Sequence, residues 1–130
     1  VEKIMEVKNL KKYFPLKSGL FSREKLYVKA VDDISFDLYK GETLGLVGES
    51  GSGKSTTGRT ILRLLEPTEG KIFYKSQDIS KINGGKLRSL RKNVQMIFQD
   101  PYASLNPRLT IGEAIVEPIL SHGLMNKKRQ

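Results

Sequence analysis

The 130 residues contain no cysteine. This excludes a disulfide framework, a thiolate zinc site and an iron–sulfur centre built from this chain. His122 is the lone histidine. It follows Ser121 near the end of an expected helix, so a surface place suits it better than a ligand role. No run approaches the roughly eighteen apolar residues of a membrane-crossing helix, and no secretory apolar segment opens the chain. The expectation is a soluble segment, which leaves docking to a membrane protein open. There is no initiator Met, and the sequence closes on the polar run Asn126-Lys127-Lys128-Arg129-Gln130. Both features lead to the expectation of a piece of something longer.

Negative charge is the scarcer sign. Fourteen Asp and Glu face 23 Lys and Arg, a net charge of +9. The cations are scattered: Lys11, Lys12, Lys17, Arg23, Lys25 and Lys29, then Lys86, Arg88, Arg91 and Lys92, then the tail. No aromatic–basic strand signature or Cys/His finger accompanies them. A solvated basic surface is the reading, and an anionic partner such as nucleic acid or an acidic membrane is the alternative.

What the chain does contain is GESGSGKST at residues 48–56, placed after the apolar run LGLV and before TGRTILRLL. The order is strand, glycine-rich turn, helix. Gly48, Gly53, Lys54 and Ser55 satisfy G-x-x-x-x-G-K-[ST], the phosphate-binding loop. Gly48, Gly51 and Gly53 free the backbone for positive φ and close approach to a ligand. Successive N–H groups of Glu49, Ser50, Ser52 and their neighbours can then line one concavity, and the helix start at Lys54, Ser55 and Thr56 adds more. Lys54 should reach the β- and γ-phosphates, and the Ser55 hydroxyl should ligate Mg²⁺. With glycine near 7% of residues, two fixed glycines occur at about 0.5% of positions, and the required Lys and Ser/Thr lower that about a hundredfold. A ligand-free glycine turn is therefore the weaker reading.

Along the chain, residues 4–14 alternate imperfectly and predict a strand to about Lys11. Residues 15–25 form a long loop. Residues 26–39 predict one or two strands bent near Asp32-Asp33, where a turn explains the paired carboxylates better than catalysis. Residues 43–47 predict a buried strand entering the phosphate loop. The next helix runs from about Lys54 to Leu65 with Ile61, Leu62, Leu64 and Leu65 buried, and Pro67 ends it. KIFY at 71–74 is a short strand, residues 77–80 a further extended piece, and residues 86–92 a short basic helix. VQMIF at 94–98 predicts a second buried strand. Residues 102–109 are irregular. Thr110 and Glu113 form a capping box for a last helix containing Pro118. The pattern is a mixed α/β core, the P-loop NTPase class, with an antiparallel portion on its N-terminal side.

Three stretches now carry a resemblance. They are VKNLKKYFPLKSGLFSREK, the run VKAVDDISFDLYKGETLGLVGESGSGKSTTGRTILRLLEPTEGKI, and LRKNVQMIFQDPYASLNPRLTIGEAIVEP. Together they cover most of the chain, which resembles the ATP-binding subunit of an ABC transporter, in the oligopeptide/dipeptide importer branch. The resemblance implies a partial ABC-type nucleotide-binding domain. Its β portion and P-loop core span about residues 1–99, and the exit from the Q-loop and start of a helical subdomain span about 100–130.

By that resemblance the loop is Walker A, the ligand is ATP with Mg²⁺, and Gln99 is the Q-loop glutamine that contacts metal and attacking water. A neutral amide suits the task, because it offers a carbonyl to the metal without adding charge. Asp100 beside it is better explained as a local cap before Pro101. The resemblance also implies an aromatic stacked on the base, here Phe14 or Tyr13; neighbours in a strand face opposite ways, so one serves, and Phe14 is favoured. Tyr102, Leu105 and Pro107 would sit where the helical subdomain meets a membrane partner.

The implied partners are transmembrane permease subunits, a second ATP-binding subunit and, indirectly, an extracytoplasmic solute-binding protein, at the cytoplasmic face of the membrane, with no specific nucleic acid. A Walker B aspartate with its adjacent glutamate, an LSGGQ-type signature and a switch histidine do not occur in these residues, so this segment is expected to bind nucleotide weakly and not to hydrolyse it efficiently. The competing readings are a soluble P-loop ATPase without a membrane partner, a basic nucleic-acid-binding module, and a segment that is a folding unit only.

Overall fold

The computed structural model describes residues 1–17 and 24–124. The middle of the long loop expected at 15–25 and the polar C-terminal run lie outside the described residues. The chain divides into two compact units, Val1–Leu87 and Arg88–Gln130.

The first unit is built on a four-stranded antiparallel sheet. Its strands are β1 (Lys3–Pro15), β2 (Tyr27–Tyr39), β3 (Glu69–Tyr74) and β4 (Gln77–Asp78), in the order β2-β1-β3-β4. β1 is longer than its alternation predicts, because that alternation slips at a bulge. Met5 and Val7 are buried, but the next buried residue is Leu10, three positions on. Asn9 is the extra residue, with φ 46°, and the register steps from Val7↔Phe36 to Leu10↔Ile34 across it. Asp33, with φ 57°, is the compensating extra residue on β2, after which Lys12 pairs with Val31. The two bulges are tied together, since Asn9 Nδ2 donates to Asp33 Oδ1 at 2.9 Å. The bend expected at Asp32-Asp33 is therefore real, but it lies inside one continuous strand. The second slip returns the apolar residues to the core face, as a period of two requires.

Met5, Val7, Leu10, Val31, Ile72 and Ile79 form the apolar core, each side chain contributing about 1.5–3 kcal/mol on full burial. Helix α1 (Lys54–Ile61) contributes Thr57 and Thr60 to it. The helix is shorter than expected and buries a different face. Leu62 is its C-cap and Arg63 takes φ 57°, so the chain turns four residues before Pro67, and Leu64 is exposed. The buried Arg63 guanidinium donates to the carbonyls of Ile79 and Ile82, which fixes that exit.

Two expected strands are not formed. Residues 43–47 and 94–98 have no ladder partner among the described residues. Val47 is 92% and Ile97 98% exposed, and Leu44, Leu46 and Phe98 are also exposed. Both were expected to be buried. An apolar β-rich run acquires a strand's hydrogen bonds only when a neighbour offers its own backbone, and β1–β4 pair only with one another.

Helix α2 (Gly84–Leu90) leads into the second unit, which holds α3 (Pro101–Ser104) and α4 (Ile111–Ser121). The irregular stretch expected at 102–109 thus begins with a short helix, capped by Asp100, whose carboxylate accepts from Tyr102 N at 2.9 Å and Ala103 N at 3.2 Å. The Thr110–Glu113 capping box is present, and Pro118 lies inside α4. Arg88 donates to the Ser121 carbonyl at the far end of α4. His122 is the C-cap of α4 and is half-buried rather than fully exposed.

Candidate functional site

The site is built where β2 meets the start of α1. Gly51 (φ 79°) and Gly53 (φ 95°) adopt the left-handed conformations that the motif's glycines supply. Gly48 does not, and its reason is space: a Cβ there would stand 2.6 Å from Ser52 Oγ. Gly53 has both reasons, since a Cβ would meet the Ala30 carbonyl oxygen at 2.2 Å. β2 is an edge strand of the sheet, and the loop docks its tightest residue against β2 at Ala30. Nothing in the motif announces Ala30, because what it contributes is a backbone oxygen.

Between these glycines the loop closes on itself. Ser52 N donates to Glu49 O at 3.1 Å, and Thr57 N to Gly53 O at 2.8 Å as α1 begins. Gly53 is the N-cap and carries no side chain, so the first N–H groups of the helix have no side-chain cap. Lys54 folds back over the loop. Its ammonium donates to the carbonyls of Gly48 and Glu49, both at 2.6 Å, and to Ser52 Oγ at 3.3 Å. The single cation of the motif is thereby held at the centre of the loop, beside the N-terminal end of α1. Ser55, the next residue, is exposed. This arrangement can receive a phosphate chain through backbone N–H groups, the helix dipole and one ammonium, and it offers one hydroxyl to a cation.

The two aromatic candidates differ in their surroundings. Tyr13 makes several contacts. Its hydroxyl donates to Asp32, its N–H to Thr68 Oγ1 at 2.9 Å, and Lys29 lies over its ring at 5.5 Å. The hydrogen bond to Asp32 and partial burial hold the Tyr13 hydroxyl above the usual phenol range. Phe14 pairs with Val28, two residues from Ala30 on β2, and is exposed, with Lys12 over its ring at 5.1 Å. The pairing of Tyr13 with Asp32 was missed in the sequence because it crosses from β1 to β2 over a bulge.

Gln99 lies in the second unit, exposed, just before the Asp100 cap. Among the described residues no helix is long and apolar enough to cross a membrane. No three His, Cys, Asp or Glu side chains among them are grouped to hold a metal ion.

Comparison with known proteins places this geometry. The family described as ABC transporter matches residues 31–130. The chain is 58% identical over 130 residues to the oligopeptide transport ATP-binding protein AppF of Bacillus subtilis (strain 168), covering 99% of this chain and 40% of that protein. It is 56% identical over 127 residues to the glutathione import ATP-binding protein GsiA of Escherichia coli (strain K12), covering 98% of this chain and 20% of that one. The chain thus spans well under half the length of these relatives. Among solved structures, the dimeric post-hydrolysis state of the ATP-binding cassette MJ0796, bound to ADP and Pi, superposes with a TM-score of 0.74 at 27% identity, over 97% of this chain and 52% of that one. A nucleotide-free ATP-binding cassette from an ABC transporter superposes with a TM-score of 0.58 at 25% identity, over 88% and 46%. A phosphate loop of this geometry, on a fold shared with those cassettes and under a family match to 100 of 130 residues, has one consequence: the chain belongs to the ABC transporter family.

Proposed function

We propose that this chain binds Mg²⁺-ATP and forms the nucleotide-binding portion of a subunit that powers import of peptides or a related solute. The observation that carries the proposal is the Lys54 ammonium, held 2.6 Å from the Gly48 and Glu49 carbonyls at the mouth of a helix without a side-chain cap. When triphosphate enters, the ammonium exchanges those carbonyls for phosphate oxygens, and the N–H groups of residues 49–56 take the rest. Ser55 would hold the cation with ligand oxygens and water, a set that suits Mg²⁺, which keeps waters and needs no all-protein cage, and Gln99 is proposed as a further ligand on the family resemblance alone. The metal would neutralise charge on the β- and γ-phosphates.

Phe14 serves as the base platform, because Tyr13 is already committed to Asp32 and Thr68. Hydrolysis is the activity of the intact subunit. It requires a general base and a signature segment that these 130 residues lack. The names of AppF and GsiA, together with the importer-type run at 90–118, support peptide or glutathione-like cargo. The exposed Tyr102 and Leu105 support docking to a permease at the cytoplasmic face, with a second ATP-binding subunit completing the dimer.

Equilibrium binding of a fluorescent ATP analogue with Mg²⁺ tests the site. Lys54→Ala is expected to weaken binding at least tenfold, and equal binding by both proteins would overturn the assignment. Phe14→Ala should lose a stacking contribution of about 1–3 kcal/mol while Tyr13→Leu, which removes the ring, loses little. The reverse order would move the platform to Tyr13. Co-purification with two permease subunits tests the partner assignment.

A further inference from the structure

A cavity of about 840 Å³ opens on the first unit, and none of its lining residues belongs to the phosphate loop. It lies between the start of β3 and the segment 78–86, and its cations are Lys71, Lys81 and Lys86. Among the described residues no salt bridge joins any of the three to a carboxylate. Both acidic residues of the lining are already engaged. Glu69 pairs with Lys11 at 2.9 Å. Asp78 accepts from Ser80 N at 2.9 Å, and hydrogen bonds from Ser80, with the fields of Lys71 and Lys81, hold its carboxyl below the usual range. The lining therefore carries three ammonium groups that form no salt bridge, against two carboxylates that are each held by another partner.

The wall behind them is braced. Ser80 Oγ accepts from Ile72 N at 2.8 Å, and the Arg63 guanidinium donates to Ile79 O at 3.2 Å and Ile82 O at 3.3 Å. Arg63 is only 5% exposed and sets a fixed positive charge under the wall. A volume of this size lies within the range of small-ligand pockets, roughly 300–1,000 Å³. An anion placed among these lysines would gain charge-assisted hydrogen bonds from them. Flexible ammonium groups lining a concavity suit phosphate groups better than a planar carboxylate, which arginine would bind bidentately.

We infer that this cavity is a second anion site, distinct from the phosphate loop, which takes a small polyanion of the inorganic polyphosphate class. Calorimetry with inorganic tripolyphosphate tests it on the 130-residue chain carrying Lys54→Ala, so that the phosphate loop does not contribute. One-site binding is expected to persist in that background. Adding Lys71→Glu and Lys81→Glu should weaken it at least tenfold, with folding checked by circular dichroism. Lys75→Glu, an exposed lysine in the β3–β4 turn, should leave it within twofold. If the double variant unfolds, Lys86→Gln on exposed α2 reads the same site, with at least a threefold loss expected. Absence of binding in the Lys54→Ala background would overturn the inference, as would equal weakening by Lys75→Glu or an undiminished affinity in the Lys86→Gln protein.

Discussion

At the scale of single residues, glycines decide the site and the sheet, for reasons the sequence shows only in part. The motif marks Gly53 as a position of positive φ, and the structure adds that its missing Cβ makes room for Ala30 O. Gly53→Ala therefore has to relieve a 2.2 Å contact with backbone as well as adopt φ 95°. The expected outcome is at least a tenfold loss of nucleotide affinity, measured by titration with a fluorescent analogue. Gly51→Ala, which has open space around it, should lose less. Gly70 carries no motif at all. It has φ 91° and sits opposite the Asn9 bulge, where a Cβ would stand 2.3 Å from Asn9 O and 2.7 Å from Leu10 Cα. Gly70→Ala should cost about 2–3 kcal/mol of stability in a denaturant melt, from strain and overpacking together. What was legible in the sequence at this scale was the chemistry of Lys54, Ser55 and the loop glycines. Gly70 and Ala30 were not, because their importance comes from backbone brought near them by the fold.

At the scale of elements, local signals were readable where the partner is within a few residues. The capping box of α4 is such a case: Glu113 Oε2 accepts from Thr110 N at 2.8 Å and Thr110 Oγ1 accepts from Glu113 N at 3.2 Å. The hydrogen bonds from Thr110, backbone first, hold the Glu113 carboxyl below the usual glutamate range. A folded-state pKa below the unfolded one means that the contribution to α4 is present above the unfolded value and is lost as pH falls through the folded one. Thr110→Ala should cost about 1 kcal/mol at neutral pH and raise the Glu113 midpoint, followed by carbon-detected NMR, only part of the way to that of an unfolded chain, because the backbone N–H donor at 110 remains. A midpoint unmoved by the substitution would show that the Thr110 hydroxyl has no part in lowering it. Helix α1 was read less well, because apolar spacing over 61–65 extended it by a turn. The tie from Arg63 to Ile79 and Ile82 spans sixteen residues or more and ends the helix early. Periodicity reports what a segment would bury if it continued, not the long-range bond that turns it away.

At the scale of the whole molecule, the antiparallel sheet was legible and the two apolar runs flanking α1 and α2 were misread. Residues 43–47 and 94–98 have the composition of buried strands, yet the sheet closes as β2-β1-β3-β4 without them. β-propensity describes fitness for a pleated, half-buried surface, and these runs have that fitness with no ladder to join. The consequence is measurable in the 130-residue chain by amide hydrogen exchange. Amides paired within β1 and β3, around Val7, Leu10 and Ile72, open only with the sheet and should exchange last. Amides of residues 44–47 and 95–98 lack such bonds and should exchange close to the rate of an unstructured peptide. The same unpaired backbone, carrying Val47 and Ile97 almost fully exposed, is a template for pairing with another strand. Protection at 44–47 and 95–98 should therefore rise with protein concentration if copies pair through these runs. Protection equal to that of β1 in dilute solution would mean that the runs find a ladder within one chain, contrary to the topology seen here.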